Sequence, residues 1–222
     1  GMILMGLLLV LFTVPEAMGL HAVAQMSSNA WRGALWIAHV RWRAVTGYMS
    51  GCAVAFCAWA MFQLVPSKPV ALLLLGTTPF LVRLLPASQK PNPERLLHGV
   101  VYGAACMSLM LLTGVAGPLV DSYFLSGSYD RKAVVATKAV CQVLAHGAKL
   151  VYFGGLVAQT GTMEPSVALM VVVASMAGTV AAKPVLETLT DTQYRRWAAH
   201  IITAVACSFV VQGLCELASA VN

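Results

Sequence analysis

The sequence predicts an all-α protein, a polytopic transmembrane helix bundle of two inverted repeats with broken or re-entrant helices. Three observations carry that reading. The 222-residue chain is 59% hydrophobic and only 10% charged, with a mean hydropathy of +0.79, whereas a soluble domain carries about 25% charged residues. Apolar stretches near the ~20 residues that cross a bilayer recur along it. Two of those stretches carry a stripe of polar and cationic residues down one face.

The long apolar spans fall at 17–38, 44–64, 70–86, 133–156, 166–182 and 197–219, with shorter pieces at 2–14, 99–113 and 117–126. In the first span His21, Gln25, Ser28, Asn29 and Arg32 recur at steps of three and four. In the span 133–156, Lys138, Gln142, His146 and Lys149 do the same, with Thr137 beside them. Such steps place each set on one side of a helix. Between the pieces 99–113 and 117–126 lies Gly114-Val-Ala-Gly117-Pro118, which predicts a helix broken into two short arms. Non-helical backbone at membrane depth is tolerated only where protein or a cavity satisfies it.

The Pro-rich, charged segment from Pro86 to Arg95 reads as a surface linker between a first repeat, 1–90, and a second, 91–222. A shift of 113 residues lays Gln25 on Lys138, Asn29 on Gln142 and Gly1 on Gly114. Both halves contain Lys-Pro-Val, at 68–70 and 183–185, in a slightly different register. Each also carries small residues at every fourth position after its striped helix: Gly47, Gly51, Ala55 and Ala174, Gly178, Ala182. That spacing lets membrane helices approach closely. By the same shift the first repeat lacks its N-terminal arm, so the chain reads as a fragment. No cleavable leader is evident at its start.

The net charge of +6 is not a nucleic-acid signature, because no basic stripe is interleaved with aromatic residues. It describes topology instead. Arg41, Arg43, Arg83, Lys90, Arg95, Arg131, Lys132, Lys183, Arg195 and Arg196 all sit in short connections, which the positive-inside rule assigns to the cytoplasm. The other connections hold only Lys68, and Arg32, Lys138 and Lys149 lie within spans. Helix 17–37 then runs outside to inside and helix 133–156 the other way, so the halves are inverted. This requires residues 99–127 to enter and leave from one side.

The six cysteines (Cys52, Cys57, Cys106, Cys141, Cys207, Cys215) form no close pair, and read as small packing residues rather than metal ligands or disulfides. No cofactor or metal site is expected.

A Lys or Arg held in hydrocarbon costs several kcal/mol unless it faces a cavity, a partner or a ligand. Lys138 and Lys149 supply compact charges, Arg32 a planar fork suited to oxyanions. Gln25, Asn29, Gln142 and Thr137 donate hydrogen bonds without adding charge. Together they describe an anion site. Each has a bland alternative: the cations snorkel to an interface, and the amides bond neighbouring helices. His21 and His146 belong to the residue type whose ordinary pKa lies near neutrality, so either one carries a coupling proton or both pack as neutral, hydrogen-bonded rings. Asp121 pairs with a site lysine, takes up a proton, or caps the following arm. The Gly114–Pro118 tip, with Gly114 and Gly117, aims backbone N–H groups at the same anion.

The stretch His21-Ala-Val-Ala-Gln25-Met-Ser-Ser-Asn29-Ala-Trp-Arg32, followed by His39-Val-Arg41-Trp42, resembles the first repeat of the sulfite exporter TauE/SafE family. Gly114-Val-Ala-Gly117-Pro118-Leu-Val-Asp121 and the run from Val135 to Gly154 resemble its second repeat. The resemblance covers most of the chain. It implies a bacterial inner-membrane, multi-pass carrier for small sulfur-containing or organic anions such as sulfite or sulfoacetate, with the lipid bilayer as its other partner. The departure is the absent N-terminal arm. An enzyme reading finds no HExxH, no paired intramembrane carboxylates and no GK[ST] loop for ATP. Two rivals remain: a passive anion channel, and a non-transporting membrane assembly or interaction protein.

Overall fold

A computed structural model describes residues 1–84, 91–156, 165–188 and 190–221. The described residues are all-α, with nine helices and no strand among them. These are α1 (Met2–Leu11), α2 (Val14–Leu35), α3 (Trp42–Phe62), α4 (Lys68–Arg83), α5 (Leu96–Thr113), α6 (Gly117–Leu125), α7 (Arg131–Val151), α8 (Pro165–Thr188) and α9 (Asp191–Val221). Residues 42–62, 96–113, 131–155 and 199–219 are helices long and apolar enough to cross a membrane. The protein is a multi-pass membrane protein.

The two striped helices start at sequence-encoded caps. At α2, Glu16 accepts hydrogen bonds from the Thr13 N–H (3.0 Å) and hydroxyl (2.7 Å), and Pro15 stands in the first turn, where no partner is needed. At α7, Asp130 Oδ1 accepts the Ala133 N–H at 2.8 Å. That bond holds the Asp130 carboxyl below its ordinary pKa. The π-helical turn Tyr152–Leu156 extends α7.

α2 and α7 pack antiparallel. Gly33 lies against Ala139 and Val140, while His21, three turns earlier, meets Lys149 near the far end of α7. α3 packs on α5 through four glycines. A Cβ at Gly51 would collide with the Val100 carbonyl, and one at Gly103 with the Tyr48 carbonyl. The Gly47–Gly51 stripe thus has the close partner its spacing predicts, in Gly99 and Gly103 of α5. The matching stripe on α8 does not: Gly178 meets open space, and the Ala182 side chain lies outside the described residues. α4 packs on α9, where Gly76 approaches the Ala206 carbonyl and Gly213 approaches Leu73.

The piece at 99–113 proves longer than the sequence predicts. α5 has 18 residues and is itself of spanning length, because Leu96, Leu97 and His98 continue the helix backwards from the linker. The break at Gly114 is as expected. Gly114 has φ +80, and a side chain there would strike the Met5 and Met18 sulfurs. α6 then turns back, so that Ser126 Oγ donates to the Pro91 carbonyl and Ser128 Oγ to Glu94 Oε1 (3.3 Å). The entry to α5 and the exit from α6 therefore meet at one end. The two Lys-Pro-Val triplets are not equivalent: 68–70 open α4, but 183–185 lie inside α8. Linker residues 86–90, the loop 157–164 and Lys90 lie outside the described residues, as do the side chains of Lys183 and Arg195.

The connections that carry Arg41 and lead into Lys132 meet beside the first turns of α7. Arg41 stacks over Tyr129 (5.6 Å), Lys132 over Trp36 (4.8 Å), and the Arg41 N–H donates to Thr137 Oγ1 (3.0 Å). Beyond the last turn of α7 the Tyr152 hydroxyl donates to the Leu64 carbonyl (2.8 Å), and the Lys68–Glu216 pair (3.1 Å) joins α4 to α9. Among the cysteines, Cys52, Cys106 and Cys141 are buried as expected, whereas Cys57, Cys207 and Cys215 face outward.

Candidate functional site

Between α2 and α7 a cavity of about 470 Å³ opens against α4, α6 and α9. Each striped helix contributes its polar face. His21, Gln25, Asn29 and Arg32 descend one wall, and Lys138, Gln142 and His146 rise along the other. The break in the α5–α6 hairpin forms a third side, with Val115, Ala116, Gly117 and Pro118 at the cavity surface. α6 starts there without a side-chain cap, and a helix start carries partial positive charge on the N–H groups that lack an intrahelical partner. The fourth side is apolar: Ile201, Ile202 and Val205 of α9.

The sequence-predicted residues divide into three groups. Nine line the cavity: His21, Gln25, Asn29, Arg32, Gly117, Asp121, Lys138, Gln142 and His146. Lys149 and Gly114 lie directly beneath it. Lys149 is wholly buried, and its Nζ sits 3.0 Å from His21 Nδ1 and donates to the Gly114 carbonyl at 3.0 Å. This excludes snorkelling for Lys149, whose Nζ is held inside the bundle. Thr137 stands apart, buried between α7 and the α2–α3 connection, where its hydroxyl accepts the Arg41 N–H.

The lining cations differ in setting. Arg32 is exposed at the rim and folded onto its own helix, its Nη2 donating to Ser28 Oγ at 2.7 Å. Lys138 is ion-paired with Asp121 across the cavity edge, both partly exposed. Of the three roles open to Asp121, the structure displays the lysine pairing. Asn29 Nδ2 donates to the Gln25 carbonyl one turn back (2.8 Å), and both residues line the space.

Sequence reasoning missed Arg83. Its sequence position groups it with the basic connections, and the structure places it at the cavity from the last turn of α4, donating to Thr203 Oγ1 of α9 at 3.0 Å. The available signal was Pro79 inside the same apolar helix, also at the cavity. A proline there removes a helical hydrogen bond and is tolerated in membranes mainly beside a neighbour or a cavity. With Arg32, Arg83 and Lys138 against Asp121, the lining carries an excess of positive charge. A space of this size, cationic, rich in hydrogen-bond donors and enclosed by membrane helices, suits a small oxyanion.

A family model described as sulfite exporter TauE/SafE matches residues 1–209. No curated protein and no solved structure matches the chain.

Proposed function

Because the chain belongs to the sulfite exporter TauE/SafE family, a family of membrane transporters, we propose that it is a secondary transporter of small anions. The class is sulfite, organosulfonates or related sulfur-containing or organic anions, carried across the bacterial inner membrane. One observation carries this reading. The polar stripes of two antiparallel helices face one cavity that also receives the uncapped start of α6. In this reading Gln25, Asn29 and Gln142 donate hydrogen bonds to the anion, Lys138 and Arg32 supply charge, and the α6 N–H groups complete the shell.

The pairing of helices supports two inverted repeats, 1–90 and 91–222. α1 packs on α9 while α6 packs on α4, and α2 packs on α8 while α7 packs on α3. Such reciprocity is what a pseudo-two-fold axis between α2 and α7 requires. The buried Lys149 contacts close the cavity floor, which favours a carrier with a closed site over a continuous pore. Equilibrium binding of sulfite, thiosulfate, sulfoacetate and acetate to the purified protein tests the reading. Saturable binding of at least one sulfur oxyanion, with none of methylammonium, is the expected result. Equal binding of the cation, or no binding at all, would reject it.

A further inference from the structure

Among the described residues the floor of the cavity holds three neighbouring nitrogen bases and no carboxylate. Lys149 Nζ lies 3.0 Å from His21 Nδ1. His21 Nε2 lies 3.1 Å from the Gly1 carbonyl, so this ring nitrogen carries the hydrogen. The His146 ring stands 5.5 Å from that of His21, centroid to centroid. His146 is 3% exposed, faces the cavity, and its Nδ1 is buried with no hydrogen-bond partner among the described residues. Buried polar atoms are ordinarily bonded, so an orphan of this kind marks a missing ligand or a site of changing protonation.

From this arrangement we infer that His21, His146 and Lys149 form a proton site coupled to the anion site above it, with His146 taking up one proton as the anion binds. The inference rests on the anion-transport reading. The Lys149–His21 contact already accommodates one proton, which either nitrogen holds without moving a heavy atom. A second proton, from solvent, goes to the vacant lone pair of His146 and makes an imidazolium. In the empty cavity that step places like charges side by side. Among the described residues the groups facing the cluster do not relieve it: Arg32 from α2, Arg83 from α4 and Lys138 from α7 are cationic, and α9 presents Ile201, Ile202 and Val205. Asp121 of α6, the one carboxylate lining the cavity among the described residues, is bridged to Lys138. An anion in the cavity supplies the missing negative charge, so anion and proton each favour the other's binding.

The test uses the whole chain in detergent and thiosulfate, an anion that does not itself titrate near neutrality. Calorimetric titration is run in buffers of different ionisation enthalpy, which counts protons bound per anion. The native chain should take up about one proton, with affinity falling by up to tenfold per pH unit where the site empties. His146→Gln should abolish that uptake and flatten the pH dependence, and thermal unfolding checks that the variant is folded. His21→Gln, which breaks the Lys149 contact, should shift the pH at which affinity falls. Thiosulfate binding without proton uptake in the native chain would overturn the inference and leave the anion reading standing, as would undiminished uptake in folded His146→Gln. No binding of thiosulfate, sulfite or sulfoacetate would reject both together.

Discussion

Lys138 and Asp121 make opposite contributions to the same cavity, and separating them is a demanding test of the electrostatic account. Replacing Lys138 by Gln keeps a donor at the cavity edge but removes the charge. A charge-assisted hydrogen bond to an anion contributes about 1.5–3 kcal/mol, so anion affinity should fall roughly tenfold to a hundredfold. Asp121→Asn has the reverse sign. A carboxylate about 6 Å from a bound anion opposes it by about 3 kcal/mol at an effective dielectric near 20. The Asp121 side chain is 47% exposed, and solvent screening leaves on the order of 1 kcal/mol of that. Asp121→Asn should therefore tighten binding several-fold while freeing Lys138 from its partner. Isothermal titration with thiosulfate on both single variants and the double variant closes the cycle. Neither change should move the unfolding temperature much, because both side chains are partly solvated. Weaker binding in Asp121→Asn would refute the reasoning, since Asp121 would then be positioning Lys138 or binding the anion itself as an acid.

Lys149→Ala should lower the unfolding temperature markedly, because it leaves the Gly114 carbonyl and His21 Nδ1 buried without their donor, at about 1–3 kcal/mol each. An unchanged melting profile in detergent would show that the contact holds nothing together. Gly51→Leu should abolish folded expression, since even a Cβ collides with the Val100 carbonyl, whereas Gly178→Leu, facing open space, should express normally. Size-exclusion chromatography separates the two outcomes. For the proposed inverted topology, a cysteine replacing Ser67 should react with an impermeant maleimide from the periplasm, and one replacing Gln193 only from the cytoplasm. Labelling of both from one side contradicts it.

The parts of the site set by local periodicity were legible in the sequence. His21 to Arg32 and Lys138 to Lys149 declared their shared faces through three- and four-residue steps, and Gly114–Pro118 declared its break through residues that cannot continue a helix. What periodicity cannot give is which face meets which neighbour. Thr137 sits beside Lys138 in the chain, yet one residue turns it about 100° around the helix, toward the Arg41 N–H instead of the cavity. The depth of Lys149 was likewise invisible, because its partners come from 128 and 35 residues away. Arg83 looked like a topology signal because arginines at helix ends commonly are one; only the packing of α4 on α9 carries it to the cavity. The extra turn of α5 escaped because the polar His98 interrupts an apolar count without interrupting a helix. The α8 stripe shows the limit of repeat reasoning, since equal spacing did not bring an equal partner.

Flux is the most direct measurement of the central claim. The purified protein is reconstituted into proteoliposomes, and uptake of thiosulfate, sulfite and sulfoacetate is followed against an imposed gradient over a wide concentration range. The expected result is uptake of at least one of these anions that saturates with concentration and falls at least tenfold at low substrate in Lys138→Gln. Flux that rises linearly without limit would mean a pore, and the absence of flux for all three from folded, correctly inserted protein would contradict transport of this class of anion.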